Sequence, residues 1–230
     1  MAKKKNSELS FADLVAELKA SSVTKPVEVD SRQELQYFLI VCEGEKTEPL
    51  YFDYYKNLLP RHLVKTIHVV GEGDNTMNIV NRATELKNER INDPILPNFN
   101  EIWAVFDKDD FPPANFDNAI NAATAEEIKC AYSNQSFELW YVLHFDNLQT
   151  AIHRDDYIKI LSRRLGFRYQ KNDPKVIKFL NEKGDVVRAI NWAKNLDNHH
   201  TASGNPPSGS CPVTKVYLLV ELLRHYCKIS

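Results

Sequence analysis

The chain has 230 residues, 43% of them hydrophobic and 26% charged, a balance that supplies a core and excludes wholesale disorder. Twenty-nine basic residues stand against 31 acidic ones, a net charge of −2, so no global positive field marks a nucleic-acid binder. No apolar run reaches the roughly 18 residues of a transmembrane helix, and polar Asn6-Ser7-Glu8 follows the basic start where a signal peptide needs an apolar stretch.

In chain order, residues 1–36 read as an extension. Leu9, Phe11, Leu14, Val15 and Leu18 fall at helical spacing, and a Ser/Thr/Pro loop follows from Ser21 to Ser31. Tyr37 to Cys42 is a continuous apolar run suited to a strand buried on both faces. It breaks at Glu43-Gly44, and Thr47 is placed to cap a helix that Pro60 stops. A second strand is expected over Thr66–Val70, closed by Gly71-Glu72-Gly73, which reads as a turn. A helix from Thr76 to about Ile91, a strand over Glu101–Phe106, a helix over Ala114–Glu127 and a short strand over Ile128–Tyr132 come next. This β-α-β-α-β-α-β order predicts a Rossmann-like α/β core over 37–145: a mostly parallel four-stranded sheet with flanking helices. A helical C-terminal part, 146–230, is expected to pack on it. Its expected elements are helices over Asp155–Leu165, Pro174–Leu180, Val186–Leu196 and Thr214–Tyr226 and a Ser/Gly/Pro loop over Ala202–Pro212. Cys42, Cys130, Cys211 and Cys227 form no C-x-x-C pair, which fits reduced thiols and a cytoplasmic location.

Charge is segregated along the chain. From Glu101 to Glu127 seven acidic residues face Lys108 alone, whereas from Ile152 to Lys178 eight basic residues face three acidic ones. Arg163, Arg164, Arg168 and Lys171, with Phe167 and Tyr169 nearby, combine charge with faces on which bases could stack, the pattern of a nucleic-acid surface. A solvated helix face is the alternative reading. Glu43 follows one buried strand, and Asp107 and Asp109 follow another. Both strand ends lie at the carboxyl edge of the sheet, where open α/β sheets bind ligands. Clustered carboxylates raise one another's pKa, and a hard cation such as Mg²⁺ relieves the conflict while keeping sites for phosphate oxygens.

Val41-Cys42-Glu43-Gly44 with Asp107-Lys108-Asp109 resembles the TOPRIM signature, a strand-terminal Glu-Gly followed by a strand-terminal D-x-D. More narrowly, FLIVCEGEKTEPLYF from Phe38 and the block Ser133–Trp140 running into Leu143-His144-Phe145 resemble the RloB family of bacterial restriction and abortive-infection operons. That family more usually carries Pro where Gln135 stands. A third block at the last helix fits through Pro212, Thr214 and Val216, or else through Asn205-Pro206 with residues inserted after it.

The resemblance implies a TOPRIM-like fold and a Mg²⁺-dependent nuclease acting on DNA or RNA, tRNA included, in phage defence, with Mn²⁺ able to substitute. Glu43 would be a general acid/base or metal ligand, Asp107 and Asp109 the metal ligands, and Asp110 a reserve. The second carboxylate comes from Glu45 or Glu48. Glu138 either turns to the same site or favours its own helix dipole. The resemblance also implies an operon-encoded ATPase as partner, and this chain itself carries no G-x-x-x-x-G-K-[ST]. The alternative function is a non-catalytic sensor or regulatory partner of that ATPase.

Overall fold

Apolar Phe38-Leu39-Ile40-Val41-Cys42 forms β1 (Phe38–Cys42), and all five of its side chains are buried. Such a strand needs a neighbour on each edge and a layer on each face. The computed structural model, which describes residues 35–59, 67–71 and 75–228, supplies both. β2 (Ile67–Gly71) and β3 (Glu101–Val105) pair with β1 in parallel, and β4 (Lys129–Cys130) pairs in parallel with β3, giving the order β2-β1-β3-β4. The sheet is therefore wholly parallel. The expected N-terminal helix at 9–18, the loop at 21–31, Pro60, Thr66, Glu72 and Gly73 lie outside the described residues.

Helices α1 (Thr47–Leu58), α2 (Thr76–Ile91) and α3 (Pro113–Ala125) make the crossovers. Alternate strand residues point to opposite faces, and each face has its own core. Leu39 and Val41 pack with Ile79, Val80 and Ala83 of α2 and with Phe116, Ala119 and Ala123 of α3. Phe38, Ile40 and Cys42 pack with Tyr51, Phe52 and Tyr55 of α1 and with the helices after residue 137. Those helices are α4 (Glu138–Leu143), α5 (Arg154–Leu165), α6 (Pro174–Lys183), α7 (Val186–Ala202) and α8 (Val216–Tyr226). Every residue of α4 is buried, so this six-residue helix anchors the helical part on the sheet. Truncating its Trp140, fully buried, to alanine would cost roughly 3–5 kcal/mol.

Two expectations need correction. The strand predicted over 128–132 holds its sheet pairing only at Lys129–Cys130. The chain then bends and pairs again as β5 (Ser133–Asn134), antiparallel to β6 (Val213–Thr214), so the loop before α8 is tied to the end of the sheet. Thr47 is not a helix cap. The position before α1 is Lys46 with no side-chain cap bond, and the Thr47 hydroxyl donates instead to the Lys171 carbonyl at 2.9 Å, pinning the segment after α5 across the start of α1.

Candidate active site

Four acidic residues reach the carboxyl edge of the sheet from four different elements. Glu43 follows β1 and continues its pairing through an N–H donated to Val105 O at 2.8 Å. Its side chain crosses to β3, where Oε2 accepts the Asp107 N–H at 2.8 Å. Asp107 itself is buried and bridges in parallel to Ser133. Glu48, in the first turn of α1, is buried, and Glu138, the first residue of α4, is only 1% exposed. Glu48, Asp107 and Glu138, with Gly44, Thr47 and Lys171, line a cavity of about 260 Å³.

Local backbone chemistry makes this convergence possible. A Cβ on Gly44 would collide with the Glu48 carboxylate, so only glycine lets Glu48 fold back over the β1–α1 turn. Gly71 at the end of β2 plays the matching part beneath, since a Cβ there would lie 2.7 Å from Gly44 O. Of the two carboxylates that the sequence left open, Glu48 is buried in the cavity, while Glu45 lines it from an exposed position. Glu138, also left open, turns its carboxylate into the cluster. It accepts the Tyr169 hydroxyl at 3.0 Å and faces Lys171 Nζ at 3.6 Å.

Burial together with mutual repulsion governs the electrostatics. Desolvation raises Asp107 well above the usual carboxylate range, and the charges of Glu48, Glu138, Glu43 and Asp109 push the same way. Glu48 is raised by burial first and by Glu138 next. Glu43 is raised to about 7, mainly by burial; the N–H bond from Asp107 opposes this, and Asp109 and Glu48 add to it. Burial works against the charge of Lys171, but Glu138, Asp107 and Glu48 outweigh it and hold its ammonium above the ordinary lysine value. Lys171 thus faces a cluster of four carboxylates, and Lys46 lines the cavity from an exposed position.

Asp109 and Asp110 go elsewhere. Asp109 adopts φ 44° and donates its N–H to Gln135 O at 3.1 Å. Its carboxylate is held by Arg154 Nη1 at 2.6 Å, and Asp110 is held by Nη2 of the same guanidinium at 2.5 Å. The D-x-D motif is therefore split. Asp107 enters the cavity, while Asp109 lies near enough to act on Glu43 and Asp107 but is engaged by an arginine. The reserve-ligand expectation for Asp110 is corrected for the same reason, since its carboxylate is exposed and ion-paired. Gln135 has φ 90°, a region closed to proline.

The expected basic surface forms only in part. Arg163 and Arg168 are exposed. Arg164 is an ion-pair partner of Asp146, with Nε donating at 2.8 Å. Arg163 and Arg164 come nine and ten residues after Arg154 on α5, about 14 Å along its axis, so they sit away from the clamp that Arg154 makes. Tyr169 cannot stack on a base because it is buried with its hydroxyl on Glu138. Phe167 packs edge-on against Phe179. Lys171 alone of the expected cationic set lines the acidic cavity.

Three contributions went unread in the sequence: the Arg154 clamp, the Tyr169 hydroxyl and the brace behind Asp107. In that brace, Lys108 N–H donates to Ser133 O at 2.9 Å, and Ser133 Oγ shares a 2.9 Å hydrogen bond with Thr214 Oγ1. Asn134 Nδ2 donates to the carbonyls of Pro207 and Ser208 at 3.1 and 3.0 Å. Thr214 of one candidate third block, and Pro207 and Ser208 directly after the other, thus hold the strand end beside the Asp107 turn. Ser and Asn in an otherwise apolar strand end were the available signal.

The donor set suits a hard cation: all-oxygen ligands, excess negative charge and an adjoining cavity. Among the described residues no three His, Cys, Asp or Glu side chains converge into a finished cage. Mg²⁺ does not require one, because it binds through one or two carboxylates and fills its octahedron with water and substrate oxygens. Asp107 and Glu48 are the residues that would hold it.

The family model of the RloB-like proteins matches residues 38–223, and the chain belongs to that family. No curated protein and no solved structure matches it.

Proposed function

We propose that this RloB-like protein is a cytoplasmic, Mg²⁺-dependent nuclease that hydrolyses phosphodiesters of DNA or RNA, tRNA included, in bacterial phage defence. The observation that carries the reading is the convergence of Glu43, Glu48, Asp107 and Glu138 at the carboxyl edge of the sheet, with Lys171 facing them. Burial and repulsion leave these carboxylates short of positive charge, and perturbed acids in a cleft are what phosphoryl chemistry uses. Mg²⁺, or Mn²⁺ in its place, supplies charge neutralisation at the phosphate and a water acidic enough to attack.

The chain's own residues divide the remaining work. Asp107 and Glu48 present oxygens to the cation. Glu43, with its carboxyl near 7, is poised to take the proton of the attacking water at neutral pH. Tyr169 and Lys171 hold the Glu138 carboxylate in place. The Lys171 ammonium also lowers the barrier to an incoming phosphate. Purified protein with Mg²⁺ or Mn²⁺ should cut nucleic acid, and Glu43→Gln or Asp107→Asn should stop it. Cutting unchanged in both variants would refute the reading.

A second reading, a sensor or regulatory partner of an operon-encoded ATPase, is favoured by the Arg154 clamp, which withdraws Asp109 and Asp110 from the centre. Co-expression with the neighbouring ATPase separates the two. Toxicity abolished by Glu43→Gln supports the nuclease, and toxicity indifferent to it supports the partner.

A further inference from the structure

A second cavity, about 370 Å³ in volume, opens on the other face of the sheet between the starts of α2 and α3. Both helices follow strands whose carboxyl ends form the ligand-binding edge, and Phe111 comes directly after Asp109-Asp110. The cavity is lined by Asn75, Thr76, Met77, Phe111, Asn115 and Asn118. Among the described residues that line it, none carries a charge.

That chemistry narrows the occupant. A phosphate would find no cation among the described residues that line it. The start of α3 is also a poor anion site, because Pro112 and Pro113 have no N–H to offer. A neutral, flat, hydrogen-bonding group fits instead. Phe111 and Met77 are half-buried and offer an aromatic face and a polarisable sulfur. Asn115 and Asn118 are exposed, and their carboxamides make no hydrogen bond among the described residues. Thr76 is 4% exposed, and its Oγ1 is buried without a hydrogen-bond partner among the described residues.

We infer that this cavity receives an unpaired nucleobase, adenine before the others, from the strand whose phosphate lies at the acidic centre. Each asparagine carboxamide presents one acceptor and two donors, and the adenine edge pairs an N–H₂ donor with a ring-nitrogen acceptor, a match that discriminates among bases. Stacking on Phe111 tolerates any base, so the ring supplies attachment and the asparagines supply choice. The inference rests on the nucleic-acid reading of the site above.

The test uses the full chain carrying Glu43→Gln, which keeps both residues that would hold the cation, so that substrate is bound but not cut, and single-stranded oligonucleotides of pyrimidines with or without one central adenine. The adenine-containing strand should bind about 10-fold more tightly. Asn115→Ala/Asn118→Ala should abolish the difference without changing Tm, since both side chains are exposed. Equal binding of the two strands, or a preference that survives the double variant, overturns the inference. If no oligonucleotide binds, the nuclease reading falls, and titration with free adenosine decides the cavity by itself. Shifts of the Asn115 and Asn118 side-chain amide resonances retain it as a nucleobase site, and their absence at the solubility limit of adenosine ends it.

Discussion

Asp107 and the Asp109–Asp110 pair leave the same strand within four residues of one another, yet their surroundings differ in kind. Asp107 is buried among Glu43, Glu48 and Glu138, with raised proton affinity, and Lys171 and Lys46 line the same cavity without pairing with it. Asp109 and Asp110 stand outward, and each accepts one arm of the Arg154 guanidinium. In the outer pair the protein has supplied the counter-charge itself. In the inner cluster it has not, and the deficit is left for protons or a cation to fill. The contrast teaches that acidity in the sequence does not by itself mark a centre; what marks it is negative charge buried beyond what the fold's own cations balance.

The largest test of that contrast is catalytic. Asp107→Asn or Glu43→Gln should lower the Mg²⁺-dependent cleavage rate by about 100-fold or more, the scale of losing a proton carrier or charge stabiliser. Asp110→Asn, outside the cluster, should stay within about 3-fold of the parent rate, because surface ion pairs contribute little. Rates measured on one labelled strand under single turnover check both. Equal losses at Asp107 and Asp110 would abolish the distinction between the two regions.

Stability against pH gives the next test, and its sign follows from the direction of the shifts. Glu43 rises from 4.5 to about 7 on folding, and Asp107 and Glu48 are raised too. The native state therefore holds protons that the unfolded chain has released. This contribution is fully present below the unfolded pKa near 4.5 and is lost as pH climbs through about 7. Metal-free protein should melt several degrees higher at pH 5.5 than at pH 8, as read by calorimetry in matched ionic strength. Glu43→Gln should flatten the slope. Saturating Mg²⁺ should restore Tm at pH 8 in the parent by mass action, and Asp107→Asn should lose that restoration. A metal-free protein that gains stability from pH 5.5 to pH 8 would contradict the account of the cluster.

The fold was legible where one physical cause dominated. Buried runs such as Phe38–Cys42 and Glu101–Val105, separated by amphipathic segments, leave little choice but a parallel sheet with helices on both faces. Glu43 and Asp107 could be read for the same reason, since chain direction alone places strand ends at one edge. What stayed hidden depends on long-range fit. Nothing local to Arg154 says that it spans Asp109 and Asp110, 45 and 44 residues earlier. Tyr169 looked like a stacking platform because its neighbours are basic, but packing against Tyr141 and a bond to Glu138 turn it inward. That Glu48 and not Glu45 is buried in the cavity rests on a helix phase and on the missing Cβ of Gly44, a steric fact that becomes visible only once the turn is folded.

The smallest effects concern the basic residues, and they separate arginines by what each one touches. Arg164 has a partner in Asp146, so its charge is already spent within the protein. Arg163 and Arg168 are exposed and make no ion pair among the described residues. Only the latter two have charge to lend to a strand leaving the acidic cavity near Lys171. Arg163→Glu/Arg168→Glu should weaken single-strand binding by about 3–10-fold, and should reduce the slope of log K against log salt by about 0.7 for each phosphate that is no longer neutralised. Its Tm should stay at the parent value. Arg164→Ala should do the reverse, lowering Tm by about a degree through removal of one surface pair and leaving the salt slope untouched. Fluorescence anisotropy across a salt series, run beside thermal melts, reads both quantities on the same samples. If the slope instead changes with Arg164 and not with Arg163 and Arg168, the strand runs over the Asp146 side of α5, and the Arg164 pair must open to receive it.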